Sequence, residues 1–273
     1  MRMKSFLAFT VAPMLLALVG YAGLSAAAPQ ENGDDALPFS KLTLEIGSTK
    51  DEFVPLEPIP ISLKLENRMK KPALGHTALG FSENYIQLFA ISPEGSAKKI
   101  DIAKPVAAFV HAAPRIFQPG ESHASMDLLT VGRNDILSPP GEYRIQAVIH
   151  GANSHDQVKS NLLFIRVTEP TGANRLALDF IMRESSLPNL FAGYDLSEDQ
   201  QAVKTLEGLS NDFIENAYWT YASFRAGEFY FYKNDYAKAK QYFDKLAERA
   251  DFIFADRVLD FRNKIHAKLA DLK

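Results

Sequence analysis

Residues 162–184, LLFIRVTEPTGANRLALDFIMRE, contain two periodicities and the break between them. Leu162–Thr168 belongs to a series of runs with period two, the signature of half-buried strands. Glu169-Pro170-Thr171-Gly172 punctuates the chain, and from about Asn174 to Glu184 the apolar spacing becomes helical. The break divides the chain into a β-rich part before it and an α-rich part after it.

Upstream, Leu42, Leu44 and Ile46 alternate with Thr43 and Glu45, and Ile61, Leu63 and Leu65 alternate with Ser62, Lys64 and Glu66. Similar runs lie at Tyr85–Ser92, Ser122–Val131 and Glu142–His150, with shorter apolar stretches near Ile100–Ile102, Val106–Val110 and Arg115–Phe117. Turn clusters separate them at Pro93-Glu94-Gly95, Gln118-Pro119-Gly120-Glu121 and Pro139-Pro140-Gly141. Seven to nine short strands with Gly/Pro corners predict an antiparallel β-sandwich over 41–169, one face of each strand buried against the opposite sheet. Leu137-x-Pro139-x-x-x-Tyr143 followed by the alternating Tyr143–Ile149 resembles the entry to strand F of immunoglobulin and fibronectin type III domains. There a tyrosine hydroxyl ties the corner to nearby backbone. Phe53–Ile59 followed by Leu63-x-Leu65-x-Asn67 resembles the second-strand entry of bacterial Ig-like domains. Any antiparallel sandwich with a proline corner is the plainer alternative.

Downstream, residues 170–273 predict helices at about Asn174–Glu184, from Ser197 to Phe213 or Ile214, and over Asn216–Lys233, Tyr236–Ala250 and Phe254–Leu272. Ser197-x-x-Gln200 reads as a capping box for the second, and Asp235 as the carboxylate cap of the fourth. Gly227-x-x-Tyr230 followed by Tyr236-x-x-Ala239-x-x-x-Phe243 resembles a tetratricopeptide (TPR) repeat. In such a repeat small residues sit where two helices touch, here Gly227 and Ala239, and large ones, here Tyr230 and Phe243, fill the adjoining gaps. Ser223 departs from the pattern where a large Trp or Leu is usual, and Asp251 where Pro is common. No second copy stands at a 34-residue offset, so an unrelated helical bundle stays open beside degenerate repeats. The fold class expected is therefore α+β multidomain: an Ig-like sandwich followed by all-α, TPR-like hairpins.

The N-terminus has the three parts of a secretory signal peptide: Arg2 and Lys4, an apolar stretch from Phe6 to Leu24, and small residues Ser25–Ala28. Cleavage after Ala27 is expected, leaving residues 28–40 as a flexible leader and no membrane span. An uncleaved anchor is the competing reading. With no N-glycosylation signal, the reading is a bacterial periplasmic or secreted protein. The 273-residue chain has no cysteine, which excludes disulfides, thiolate metal sites and a cysteine nucleophile. A formal net charge of −3 with 23% charged residues supplies no basic field for nucleic acid.

No sequence constellation points to catalysis. There is no nucleophile elbow, phosphate loop, His-Glu-x-x-His or calcium loop. Ser154-His155-Asp156 is too contiguous for its members to aim at one another, and Ser96-x-x-Lys99 lies in a Gly-rich turn. The six histidines (76, 111, 123, 150, 155 and 266) form no metal-ligand pair by spacing, although His111 and His123 bracket a hairpin-like turn. Neither metal nor cofactor is expected, and the protein is read as no enzyme.

Half of the 30 aromatic residues lie between Phe213 and Phe261, more than one helical face needs. If the TPR resemblance holds, Tyr221, Phe224, Glu228, Phe231 and Tyr232 line the concave groove that accepts a protein or peptide. The alternative is that these rings pack against the preceding helix or the sandwich. The functional expectation is a protein- or peptide-binding or scaffold module of the envelope. The other readings are an inhibitor or accessory domain acting through loops such as Ala103–Ser122, and a hydrolase whose site is scattered in sequence.

Overall fold

The computed structural model describes residues 36–81, 85–102, 113–130, 136–151, 156–183, 190–191, 199–213, 215–249 and 251–271. The expected signal peptide and most of the leader lie outside these. The first half is β-sheet and the C-terminal part is helical, an α+β arrangement.

The strands are β1 (Thr43–Gly47), β2 (Glu52–Phe53), β3 (Ile59–Glu66), β4 (Ala73–Gly75), β5 (Ile86–Ile91), β6 (Ala97–Lys99), β7 (Arg115–Phe117), β8 (Ser122–Leu129), β9 (Gly141–His150) and β10 (Gln157–Val167). That is ten among the described residues, more than the seven to nine expected, because strands as short as β2 and β4 carry no readable alternation. A hydrogen-bonded path runs β6-β5-β9-β10-β1-β3-β8, with β2 also on β10, while β4 and β7 pair separately. Alternate residues turn inward: Leu44 and Ile46, Ile61, Leu63 and Leu65, Leu88 and Ala90, Tyr143, Ile145, Ala147 and Ile149, and Ile165 and Val167 share one buried core.

The pairing is not purely antiparallel. β10 runs parallel to β1, with Leu44 opposite Ser160, and parallel to β2, with Arg166 opposite Glu52. A register shift between Lys159 and Leu162 lets one strand serve different neighbours along its length. Asn161 fills the gap as a substitute strand. Its Oδ1 accepts from the Ile46 N–H at 2.8 Å and its Nδ2 donates to the Ile46 carbonyl at 3.1 Å. Ser160 Oγ accepts from the Ala147 N–H at 2.9 Å.

The described end of the expected leader is docked. Leu37 pairs with Ala73, and Phe39 is buried in the β core and stacked on His76 at 5.1 Å. The polar composition of 28–40 concealed these two apolar anchors.

Five helices follow among the described residues: α1 (Gly172–Ile181), α2 (Gln200–Asn211), α3 (Trp219–Tyr232), α4 (Tyr236–Leu246) and α5 (Ala255–Ala270). α3 packs on α2 and α4, and α4 on α5. Asp199 caps α2, accepting from the Ala202 N–H at 2.9 Å; Ser197, the cap expected from sequence, lies outside the described residues. Asp235 caps α4 through the Lys238 N–H at 3.0 Å, after Asn234 has turned the chain with φ +61°. At Gly227 a Cβ would lie 2.9 Å from the Phe243 ring, so α3 and α4 approach as closely as a glycine permits.

Candidate functional site

The five residues expected to line a groove divide into a buried and an open set. Tyr221, Phe224 and Glu228 are buried, whereas Tyr232 is 71% exposed and Phe231 is half-buried. The buried three are covered in part by chain that follows α3, and Tyr221 also lies close enough to Glu57 of the β half to feel its charge. Phe252 meets the rings of Tyr221 and Phe224 edge-on, both at 5.7 Å, and Phe254 lies 5.0 Å from Phe224. Arg257 of α5 stacks over Phe224 and Phe254 and binds Glu228 at 2.5 Å, while Arg225 binds the other Glu228 oxygen at 2.6 Å. Two guanidiniums thus compensate a carboxylate that would be costly to bury alone. The open set is an aromatic edge. Phe231 sits 4.9 Å from Phe261, and Tyr232 contacts Phe231 and Phe261 at 5.6 and 6.3 Å.

Tyr230, Ala239 and Phe243 occupy the seam between α3 and α4. Ala239 and Phe243 are fully buried. Tyr230 stacks on Tyr242 at 5.9 Å, donates to Glu207 at 2.7 Å and accepts from Lys238 at 2.7 Å. Burial works against ionised Glu207, but the bonds from Lys238 and Tyr230 hold its carboxyl below the usual range. The bonds that Lys238 makes to Glu207 and to Tyr230 hold its ammonium above the usual lysine range. Further along, Ser210 Oγ and Ser223 Oγ share a hydrogen bond of 2.7 Å, and Lys245 Nζ lies 3.3 Å from Ser210 Oγ. Burial pushes the Lys245 ammonium down. The residue types are those of a serine–lysine nucleophile, but both serines are fully buried within the helix pair. Their bond accounts for a small side chain at Ser223: a small polar residue lets α2 and α3 approach and remain satisfied.

In the β half, Tyr143 Oη donates to the Pro139 carbonyl at 2.7 Å, and Leu137 is buried in the core. Burial, with a smaller contribution from Glu94, raises the phenol's pKa. The outer face of this corner borders a cavity of about 530 Å³ lined by Asp51, Glu52, Glu142, Arg144, Phe164 and Arg166 among others. Sequence reasoning missed it. The signal was there in Leu162–Thr168, where a phenylalanine falls on the face opposite Ile165 and Val167.

His76 is structural. Its ring lies between Phe39 and Tyr85, Nδ1 accepts from the Ala78 N–H at 3.2 Å, and Nε2 lies 2.9 Å from the His150 carbonyl. His111, Ser154 and His155 lie outside the described residues, as does the Ala103–Ser122 loop up to residue 112. Among the described residues no group of three or more side chains is placed to hold a metal, and no helix is long and apolar enough to cross a membrane.

No protein-family model matches the chain, and no curated protein matches it. Solved structures similar to parts of it include Spo0M, a sporulation control protein from Bacillus subtilis. That likeness has 14% identity and a TM-score of 0.30, over 52% of this chain and 55% of that one. A β-glucosidase from Listeria innocua is similar at 16% identity and a TM-score of 0.28, over 48% of this chain and 16% of the enzyme. The CARDB domain of PF1109 from Pyrococcus furiosus is similar at 14% identity and a TM-score of 0.24, over 49% of this chain and 97% of the domain. The chain thus spans about half the length of Spo0M and a small part of the glucosidase. At these TM-scores the likenesses assign neither activity nor partner.

Proposed function

We propose that the protein is a non-enzymatic, exported protein- or peptide-binding module of the bacterial envelope, an Ig-like sandwich joined to a TPR-like helical stack. The export reading rests on the composition of residues 1–28. The Ig-like reading is supported by the Tyr143–Pro139 corner, and the TPR-like reading by the Gly227–Phe243 approach. The observation that carries the binding function is the exposed aromatic edge at the end of α3. Tyr232 is 71% exposed yet braced by Phe231 and Phe261. A braced, amphipathic ring loses little conformational freedom on contact, which suits a tyrosine to an interface. The binding surface is accordingly this edge, while Tyr221, Phe224 and Glu228 support it from beneath.

The test is crosslinking capture from native envelope extract, comparing the wild-type chain with Tyr232→Ala and Tyr232→Ser. Loss of the same captured band in both variants, at an unchanged thermal midpoint, is the expected result. Capture that survives both substitutions overturns the assignment.

A further inference from the structure

The outer face of β9 and β10 carries a cleft that the helical binding edge leaves unused. Strand register sets Phe164 opposite Arg144 and Arg166 opposite Glu142, with Glu52 of β2 opposite Arg166 on its other side. Arg166 is forked between two acids, Nη1 to Glu52 at 3.2 Å and Nη2 to Glu142 at 2.9 Å. Asp51 and Ser92 also line the open cavity of about 530 Å³.

Two features separate this cleft from an ordinary solvated strand face. Phe164 is 64% exposed, and among the described residues no other ring or cation lies against it. A large apolar ring left open inside a concave, polar-lined site is characteristic of ligand pockets. The polar groups also converge in both signs: carboxylates from Asp51, Glu52 and Glu142, guanidiniums from Arg144 and Arg166. Arg144 makes no ion pair among the described residues, so its donors are available.

The lining selects against charged and against wholly apolar ligands. With Arg166 neutralised between Glu52 and Glu142, a polyanion meets the Asp51 carboxylate, a polyamine meets the Arg144 guanidinium, and a hydrocarbon desolvates all of these groups without replacing their hydrogen bonds. A neutral polyhydroxylated ring satisfies every group. Its hydroxyls donate to carboxylates and accept from guanidiniums, and its C–H face covers an aromatic ring. We propose that the Phe164 cleft is a binding site for a neutral saccharide. One pyranose unit lies on Phe164, and its hydroxyls are shared between Arg144 and the carboxylates of Glu142 and Asp51.

Saturation-transfer difference NMR on the full chain tests this with maltohexaose, cellohexaose and N-acetylchitohexaose, with spermine and hexaglutamate as charged controls. Transfer to the ring protons of at least one sugar is expected. Its affinity should fall about tenfold in Phe164→Ala, as befits one lost ring contact, and survive in Phe164→Tyr. Arg144→Ala should weaken the same sugar while leaving the circular dichroism spectrum unchanged, both side chains being exposed. Transfer to none of the three sugars overturns the proposal. So does equal transfer in Phe164→Ala, or binding of spermine or hexaglutamate in place of the sugars.

Discussion

The Tyr218 hydroxyl donates a 2.6 Å hydrogen bond to the carbonyl of Pro55, which precedes it by 163 residues. This bond ties the start of α3 to a loop of the β half. Around it Val54 and Leu56 enter the helical core, and Leu56 holds the uncommon φ of +64°. Glu57, also buried, binds Lys50 Nζ and the Val54 N–H in the same loop.

Tyr218→Phe keeps the ring and leaves the buried Pro55 carbonyl without that partner. The expected cost is about 1–3 kcal/mol. Because the joint is shared, the loss should lower a single unfolding transition seen alike by Trp219 fluorescence and by far-ultraviolet circular dichroism. Two separated transitions in the variant, with the helical one unmoved, would show that the bond is not a joint.

Glu57 gives the joint a pH dependence. Burial raises its carboxyl above the ordinary value of 4.5, outweighing the nearby Lys50 and the bonds it accepts. A folded-state pKa above the unfolded one means that the folded chain holds its proton more tightly. Its contribution to stability is therefore complete below about pH 4.5 and is lost as pH rises through the raised value. Glu57→Gln, which keeps an acceptor for Val54, should flatten this segment of the thermal-midpoint curve. A variant curve parallel to wild type throughout would refute the assignment.

Gly227→Ala should destabilise the helix pair despite alanine's better helix propensity. The added methyl meets the Phe243 ring, and overpacking of this kind costs about 1–3 kcal/mol against about 1 kcal/mol gained from propensity. Chemical denaturation measures the balance. A net gain in stability would mean that Phe243 moves aside freely.

Asp235→Ala removes the carboxylate that caps α4 and should cost about 1 kcal/mol, with Asp235→Asn losing much less. Equal losses in the two variants would point to the charge rather than the acceptor geometry.

Local features were legible in the sequence. The alternation of Ile61, Leu63 and Leu65 gave β3 and its buried face, and Asp235 announced the start of α4, because strand faces and caps depend on residues a few positions apart. Features made by distant partners were not. Nothing near Phe39 indicates that it stacks on His76, and nothing near Asn161 indicates that its amide completes β1. The burial of Tyr221 and Phe224 was illegible for the same reason. The helical pattern places them on one face but does not say that Phe252 and Phe254 fold back over it.

The parallel placement of β1 beside β10 has a mechanical consequence. A pull on the chain before β1 and after β10 draws these neighbours in opposite senses along their shared axis. The load then falls together on the backbone contact at Leu44 and Ser160 and on the two bonds between Asn161 and Ile46, rather than on one bond at a time. Strands loaded in shear resist rupture better than strands peeled from one end. The joint between the first and last strands of the β half is thus built to bear tension along the chain.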